Sequence, residues 1–213
     1  MKLVKKQEEL TIAIPKGFLH KGAHEYLIGC GIDFENSDTD SDRELVFYDS
    51  KNNVKGILVR PNDVSVYVEH GCADLGIVGL DLLNEQLSEV VRVKDLGFGK
   101  CKLVVAVKKE SGYKKISDLP PNSKIATKFL RLANDFIVKS GISAEVVKLY
   151  GSIELAPIVG LSDAIIDLVA TGKTLKANNL VSIQTLLESS AILIANPVSF
   201  KLKKSFLDGI FFD

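Results

Sequence analysis

The chain has 213 residues, and 46% of them are hydrophobic, which is enough to bury the core of one large domain or two small ones. Lysine plus arginine and aspartate plus glutamate both number 27, so the net charge is zero and no basic surplus favours nucleic acid as a partner. There is no apolar run of 18 residues and no recognisable secretion signal, so we expect a cytoplasmic protein without membrane association.

The first half of the chain predicts alternating strands and helices. A strand over 10–14 ends at Pro15-Lys16-Gly17, and a helix follows over 18–28. A polar turn over 50–53 suits a hairpin, and Pro61 suits the first position of a helix. The other elements are predicted as strands over 44–49, 54–60, 74–78, 90–96 and 102–108 and helices over 61–70 and 81–86, with a polar span over 35–43.

The second half continues the alternation. We predict strands over 124–127, 145–149, 164–169 and 186–195 and helices over 131–140, 152–159, 174–177 and 199–207. Strands that alternate with helices indicate an α/β protein with mainly parallel sheets. We expect the chain to cross between two lobes at 97–100 and at 178–182, which makes lobe I residues 1–98 plus 181–213 and lobe II residues 99–180.

The segment over 163–175 carries the clearest chemical signal. An apolar strand that bears Asp163 and Asp167 runs into Thr171-Gly172-Lys173-Thr174, after which a helix begins. The free N–H groups of a first helical turn and the positive end of the helix dipole attract an anion, and Gly172 allows a phosphate to approach closely. Asp167, on the preceding strand, can accept hydrogen bonds from hydroxyl groups. A phosphate beside a diol describes a phosphorylated ribose.

Two other interpretations of this turn are possible. A nucleoside-triphosphate loop needs a glycine five positions before Gly172, and Asp167 stands there, so that class is excluded. A Thr-Gly pair ahead of a helix is also a common structural cap, and the turn by itself leaves this alternative open.

Seven segments together resemble the ATP phosphoribosyltransferases. They lie, in order, over 10–17, 60–64, 68–79, 95–105, 125–128, 151–157 and 163–175. The resemblance implies a two-lobed α/β fold like that of the type II periplasmic binding proteins. It also implies an activity, the joining of N1 of ATP to C1 of 5-phosphoribosyl 1-diphosphate with release of pyrophosphate, the first step of histidine biosynthesis.

The resemblance extends to partners and cofactor. The chain is similar to the short form of the family, which acts with a regulatory subunit related to histidyl-tRNA synthetase, and we expect a homodimer within a larger hetero-oligomer. Mg²⁺ is implied as an ion bound to the substrate. The sequence departs from the family pattern at Leu80, where members often carry Lys or Glu. It departs again at Phe129-Leu130 and over 133–135, where members often carry a Tyr-Pro pair and downstream basic residues.

The implied site residues fall into two groups, with Arg60 and Asp167 as the catalytic pair. The phosphoribosyl diphosphate group is Asp163, Asp167, Thr171, Gly172, Lys173 and Thr174, and the ATP and diphosphate group is Lys16, Gly17, Arg60, Gly76, Gly79 and Glu154. Each of the second group has a structural alternative: a surface salt bridge for Arg60, a solvated side chain for Lys16, a helix-start acid for Glu154, and tight turns for the glycines.

Two further expectations concern ligands. His20 and His24 have a spacing that zinc ligands use, but no third ligand accompanies them, so we predict no metal site built by the protein. The alternative to an enzyme is a non-catalytic two-lobed protein that binds an anion or another solute. Asp167 beside the phosphate turn and the lack of a secretion signal favour the enzyme.

Overall fold

A computed structural model gives the structure of residues 9–34 and 44–211. The described chain divides into two compact units. The first contains the residues up to Leu83, Leu87–Gly99 and the residues from Ser190 onward, and the second contains Asn84–Gln86 and Lys100–Ser189. The predicted polar span over 35–43 lies outside the described residues.

The first unit is built on a six-stranded sheet. Its strands are β1 (Leu10–Pro15), β2 (Val46–Asp49), β3 (Val54–Val59), β4 (Leu75–Gly79), β5 (Val91–Asp95) and β11 (Ala191–Ala195), in the order β2-β3-β1-β4-β11-β5. Its helices are α1 (His20–Gly29), α2 (Val64–Glu69), most of α3 (Leu80–Gln86), α7 (Pro197–Leu202) and α8 (Lys204–Phe211). Short 3₁₀ turns, Gly17–Leu19 and Pro61–Asp63, precede α1 and α2.

Strand β1 shows why the middle of this sheet is so apolar. Its alternate residues Leu10, Ile12 and Ile14 belong to one buried cluster, with α1 and α8, while Ala13 belongs to a second cluster with α2. Successive side chains of a strand point to opposite faces, so a strand covered on both faces needs an unbroken apolar run. The sequence shows such a run over 12–14, preceded by Leu10 and the half-buried Thr11.

The second unit is built on a five-stranded sheet. Its strands are β6 (Cys101–Lys108), β7 (Ser123–Thr127), β8 (Ala144–Lys148), β9 (Ala164–Val169) and β10 (Leu180–Ser189), in the order β10-β6-β9-β7-β8. Its helices are α4 (Leu130–Ser140), α5 (Leu155–Ile158) and α6 (Lys173–Ala177), and short 3₁₀ turns lie at Lys109–Ser111 and Ile116–Asp118.

The α/β class is as predicted, but the sheets are mixed and not mainly parallel. In the first sheet β1 is parallel to β3 and β4, whereas β2, β5 and β11 pair antiparallel with their neighbours. In the second sheet β7 is parallel to β8 and β9, whereas β6 pairs antiparallel with β9 and β10. The antiparallel pairs are the β2–β3 hairpin, the pairs that the return strands β10 and β11 form with β6, β4 and β5, and the pair of β6 with β9.

The second crossing of the chain differs from the predicted position. We expected it over 178–182, but β10 pairs antiparallel with β6 from Leu180↔Lys108 to Ser189↔Cys101, and the division falls between Ser189 and Ser190. Residues 181–189, predicted for lobe I, therefore group with the second unit. The first crossing, at Gly99–Lys100, lies within the predicted segment 97–100.

The C-terminal segment forms two helices instead of the single helix predicted over 199–207. The carboxylate of Asp74 accepts hydrogen bonds from the Ser199 hydroxyl at 2.6 Å, the Lys203 ammonium at 2.9 Å and the Thr11 backbone N–H at 2.9 Å. Lys203, which is bound in this way, lies where α7 ends and α8 begins. In the described part of the chain, no helix has both the length and the apolar character needed to cross a bilayer.

Candidate functional site

Lys16 and Arg60 lie side by side in the first unit. Strands β1 and β3 are parallel and in register up to the pair Pro15↔Val59, so the next residues, Lys16 and Arg60, follow at the same edge of the sheet. The backbone N–H of Lys16 donates to the carbonyl of Val59 at 2.9 Å, which fixes the two chain segments together. The carboxyl ends of parallel strands are the usual position for ligands in such sheets.

A pocket of about 450 Å³ opens beside these two cations. Its volume is within the range of small-molecule sites. The walls combine apolar side chains with a few charged groups, and the lining residues are Lys16, Leu45, Val46, Ile57, Leu58, Val59, Arg60, Asp63 and Tyr67. An apolar wall with cations at its edge suits a flat ring that carries phosphates.

The charges of Lys16 and Arg60 are available for a ligand as far as the described residues go. Arg60 is exposed, and neither it nor Lys16 forms an ion pair with any residue within 9–34 or 44–211. The surface salt bridge that stood as the alternative role for Arg60 is therefore not formed with a described residue. Gly17, next to Lys16, has φ +74°, a backbone conformation that favours glycine, and so supplies a tight turn. No atom lies within 4 Å of the position that a Cβ would take there.

We expected Gly76 and Gly79 to leave room for a substrate, but the structure gives them a different role. Both are buried. A Cβ on Gly76 would come within 2.8 Å of Val64 Cγ1 and 2.9 Å of Val68 Cγ2, so its missing side chain lets α2 pack on β4. At Gly79 the carboxylate of Asp81, in the first turn of α3, occupies the place of a Cβ. Both glycines serve packing and helix entry.

Replacing Gly76 with alanine should destabilise the protein by about 1–3 kcal/mol, because overpacking forces α2 away from the sheet. The free energy of unfolding in urea measures this change. Gly29→Ala is the matched control, since nothing lies within 4 Å of a Cβ at that position in α1. Equal stability of the two variants would contradict the packing role of Gly76.

The predicted phosphate turn forms as a strand, turn and helix in the second unit. Strand β9 ends at Val169, and α6 begins at Lys173 after Thr171 and Gly172. Gly172 has φ +73°, a left-handed conformation that favours glycine, and no side chain caps the N-terminus of α6. The first N–H groups of α6 are therefore left for an anion. Thr171, Lys173 and Thr174 are exposed around them.

Asp167 lies on β9, near the end of the strand that leads into the turn. Its neighbours in alternation, Ile165 and Val169, pack with α5 and α6, so Asp167 belongs to the sheet face that these helices cover. Burial there raises the pKa of the Asp167 carboxyl, and the charge of Glu154 raises it further. A hydrogen bond from the Leu168 N–H at 2.9 Å and the charge of Lys128 act in the opposite direction.

Lys128 is a residue that we did not single out from the sequence. It follows Thr127, which pairs with Ile166 in the parallel register of β7 and β9, so Lys128 comes opposite Asp167. Its sequence signals were its position directly after a buried strand, which many solvated lysines share, and its place at the end of the family-like segment over 125–128. Its relation to Asp167 depends on the register of two strands that are nearly 40 residues apart in sequence.

Glu154 belongs with Asp167 and not with the cations of the other group. It precedes α5 in the second unit, and its charge acts on Asp167, whereas Lys16 and Arg60 are in the first unit. We had grouped Glu154 with the ATP and diphosphate contacts. The structure instead places it in the surroundings of Asp167, ahead of the predicted phosphate turn.

Asp163 does not lie beside the turn. It precedes β9 at the end opposite to the turn, and its carboxylate accepts a hydrogen bond from the backbone N–H of Lys124 at 2.8 Å. A strand of this length separates its two ends by roughly 17–20 Å, more than a side chain can span. Asp163 ties β9 to β7, and we leave it out of the proposed site.

Metal-binding side chains are scarce near either group. In the part of the chain that the structure describes, no three or more His, Cys, Asp or Glu residues are arranged to hold a metal ion. His20 and His24 both lie on α1 in the first unit.

Comparison with known proteins gives the family. The model of the family described as HisG, ATP phosphoribosyltransferase, matches residues 60–212. The ATP phosphoribosyltransferase of Prochlorococcus marinus (strain AS9601) is 48% identical over 198 residues, which are 93% of this chain and 93% of the relative. The solved ATP phosphoribosyl transferase (HisG:HisZ) complex from Thermotoga maritima contains a chain with 32% identity and a TM-score of 0.80, over 94% of this chain and 93% of that one.

A more distant likeness concerns the fold only. The alkanesulfonate-binding protein SsuA from Xanthomonas axonopodis pv. citri superposes with a TM-score of 0.59 over 94% of this chain and 69% of that one, at 14% identity. This likeness confirms the predicted fold class, that of the periplasmic binding proteins. The match to the family model and the near-half identity to full-length relatives say more: the chain belongs to the ATP phosphoribosyltransferase family, the transferases of the first step of histidine biosynthesis, as its seven sequence segments indicated.

Proposed function

We propose that this chain condenses ATP with 5-phosphoribosyl 1-diphosphate to give N1-(5-phosphoribosyl)-ATP and pyrophosphate. The observation that carries the proposal is the strand, turn and helix with Asp167 ahead of Thr171–Thr174, in a chain that belongs to the family. A phosphate at the N-terminus of α6 and ribose hydroxyls on the Asp167 carboxylate account for one substrate. The cationic pocket of the first unit accounts for phosphates and a flat ring.

The reaction needs positioning and charge neutralisation more than proton transfer. N1 of the adenine attacks C1 of the ribose, the bond from C1 to the diphosphate oxygen breaks, and positive charge develops on the ribose ring. We assign the 5-phosphate to the N–H groups and hydroxyls of Thr171–Thr174, and the leaving diphosphate to Arg60 and Lys16. Ionised Asp167 orients the ribose through its hydroxyls, and its negative charge favours the developing cation.

Mg²⁺ is proposed as an ion that arrives with the diphosphate. Carboxylate oxygens are the ligands that Mg²⁺ prefers, and Asp167 and Glu154 are the carboxylates that interact beside the turn. These two residues would face the ion, and a bound Mg²⁺ would neutralise charge on the leaving group.

The test is release of pyrophosphate from ATP and 5-phosphoribosyl 1-diphosphate, measured together with formation of the ribosylated nucleotide. Each substrate omitted in turn is the control. The solved relative from Thermotoga maritima is a HisG:HisZ complex, so we propose that this chain also acts with a regulatory subunit of that kind. The assay should be run with and without that subunit. If the chain binds both substrates without turnover, even with the partner present, the enzyme proposal fails and the chain is a solute-binding protein.

The assembly and location follow as proposals from the same relationship. We propose a homodimer that joins the regulatory subunit in a larger hetero-oligomer, and a cytoplasmic location, where both substrates are made. Light scattering of the chain alone and with the partner measures the assembly. A chain that stays monomeric and does not change mass with the partner would contradict it.

A further inference from the structure

One end of the first unit carries a connected surface around helix α7. Asn196, the residue before α7, donates from its side-chain amide to the backbone carbonyls of Val68 at 2.9 Å and Glu69 at 3.3 Å, where α2 ends. The backbone N–H of Glu89, in the segment after α3, donates to the carboxylate of Glu69 at 3.2 Å. We call this region the α7 surface, and its members are Glu69, Glu89, Val198, Lys201, Leu202 and Lys204.

The α7 surface lies at the end of the first sheet opposite to the cationic pocket. Strands β1 and β4 are parallel, and Lys16 follows the carboxyl end of β1. The start of α7 lies at the amino end of β4 instead, where the backbone N–H of Asn196 donates to the carbonyl of Asp74 at 2.9 Å. A protein bound to the α7 surface therefore leaves the pocket of the same unit open to its ligand.

Two large apolar side chains of α7 point outward. Val198 is 62% exposed and Leu202 is 75% exposed. Residues four apart lie on one face of a helix, so these two form an apolar stripe along α7. The helix cannot turn the stripe inward, because Ser199 and Lys203 hold it to the buried carboxylate of Asp74. The stripe is therefore a fixed part of the surface.

Charges of opposite sign lie at the two ends of this stripe. Glu69 and Glu89 belong to the end at which α7 starts, whereas Lys201 and Lys204 lie where α7 ends and α8 begins. Glu69 is half-buried and the other three are exposed. None of the four forms an ion pair with a residue that the structure describes. The 6 residues of α7 span about 9 Å, which keeps the acidic and basic ends apart.

We propose that the α7 surface is the interface between two copies of this chain, related by a twofold axis that sets their α7 helices antiparallel. In this arrangement Val198 of each copy packs on Leu202 of the other copy. The acids beside the start of one α7 then meet the lysines at the end of the other. The inference rests on the homodimer that forms part of the proposed function, and it names the surface that this homodimer uses.

A second copy fits the α7 surface better than a uniformly charged partner does. An acidic or a basic partner would meet its own charge at one end of α7, and like charges brought together weaken binding. An interface between identical copies has to be self-complementary. Opposite charges at opposite ends of an apolar stripe satisfy this condition, and the resulting interface carries no net charge.

Exchange of charge between copies tests the pairing. In the variant Glu69→Lys with Glu89→Lys, lysines face lysines, and the dissociation constant of the homodimer should rise roughly 30-fold or more. Lys201→Glu with Lys204→Glu places acids against acids and should have the same effect. An equimolar mixture of the two variants should form a heterodimer about as tight as the unmodified homodimer, because opposite charges meet again. Sedimentation equilibrium measures all of these constants.

Two controls accompany the charge reversals. Glu110→Lys with Glu145→Lys changes the net charge equally at exposed positions of the second unit and should leave the homodimer intact. Urea unfolding of each variant shows whether its fold is kept. Dissociation of both reversal variants without recovery in the mixture would overturn the antiparallel pairing, and so would a homodimer that neither reversal weakens.

The apolar stripe is tested separately. Leu202→Ser should raise the dissociation constant roughly tenfold, because each interface loses two buried leucines. Val138→Ser, at a position 80% exposed on α4 of the second unit, should have no effect. Equal dissociation constants for these two variants would contradict the role of the stripe.

The remaining outcomes separate this inference from the proposed function. A monomeric unmodified chain would overturn the inference together with the homodimer. If the reversals keep the homodimer and abolish binding of the regulatory subunit, the α7 surface belongs to that subunit and the inference is overturned alone. Turnover takes no part in these measurements, so a lack of turnover would count against the proposed activity only.

Discussion

Replacing Asp167 with alanine is expected to lower kcat/KM for 5-phosphoribosyl 1-diphosphate by roughly 150-fold or more, because hydrogen bonds to a charged acceptor contribute about 1.5–3 kcal/mol each and we propose that two ribose hydroxyls donate to it. The KM for ATP should change little, since the pocket with Lys16 and Arg60 belongs to the other unit. Initial rates with each substrate varied in turn measure both values. The fold should survive, because Asp167 accepts its one described hydrogen bond from the next residue in sequence, Leu168.

Two control variants separate this role from a general effect of lost acids. Asp163→Asn removes an acid from the other end of β9 and should reduce stability slightly with little change in kcat/KM, since Asp163 binds the backbone of Lys124. Glu154→Ala should lower kcat/KM for 5-phosphoribosyl 1-diphosphate far less than Asp167→Ala does. Equal losses in Asp167→Ala and Glu154→Ala would show that the ribose-binding acid is wrongly assigned.

The pH dependence of kcat/KM for 5-phosphoribosyl 1-diphosphate follows from the environment of Asp167. Burial raises the pKa of its carboxyl above the ordinary value for aspartate. We propose that the ionised form is the one that binds the ribose. As pH falls through this raised pKa, the carboxyl gains a proton and kcat/KM falls. The loss should therefore begin at a higher pH than an ordinary aspartate would give, and an Asp167→Asn variant should lose this acid limb.

Replacing Arg60 with alanine is expected to lower kcat roughly 30- to 100-fold, because a bidentate, charge-assisted contact with the leaving diphosphate is lost. Arg60 is exposed at the edge of the pocket and forms no ion pair with a described residue, so its removal should leave the stability nearly unchanged. Single-turnover rates and urea unfolding of the same samples measure the two properties separately.

The geometry of the guanidinium can be tested with a second pair of variants. Arg60→Lys keeps the charge but not the planar fork, and should recover only part of the rate. Lys55→Ala removes a cation near the start of the same strand, β3, and should behave like the unmodified protein. Activity of Arg60→Ala within twofold of that protein would mean that Arg60 is a solvated surface residue.

The sequence determined the local elements that carry the chemistry. The predicted strand over 164–169 has the bounds of β9, and the helix after the turn begins within one residue of its predicted start. Apolar runs, glycine and helix-start signals act over a few residues, so they can be recognised without knowledge of the rest of the chain. The same is true of Lys16 and Arg60, because each directly follows its own strand.

Pairing between distant parts of the chain decided the features that the sequence left open and those that we predicted wrongly. The position of the second crossing depends on β10, which stays paired with β6 up to Ser189, and a strand that continues to a junction gives no local signal of it. Gly76 is explained by two valines of α2 that reach it across the fold. A glycine in a strand has the same local pattern whether it faces a ligand or a helix.

The predicted phosphate turn shows the contributions of sequence and of tertiary structure in one place. The sequence determined that Thr171–Thr174 follow a strand bearing two acids and begin a helix, since each of those features is local. Only the tertiary structure decided which acid stands near the turn: Asp163 is held at the far end of β9, and Asp167 is half-buried opposite Lys128. The physical reason is that strand register sets which charges meet, and register depends on pairing between distant parts of the chain.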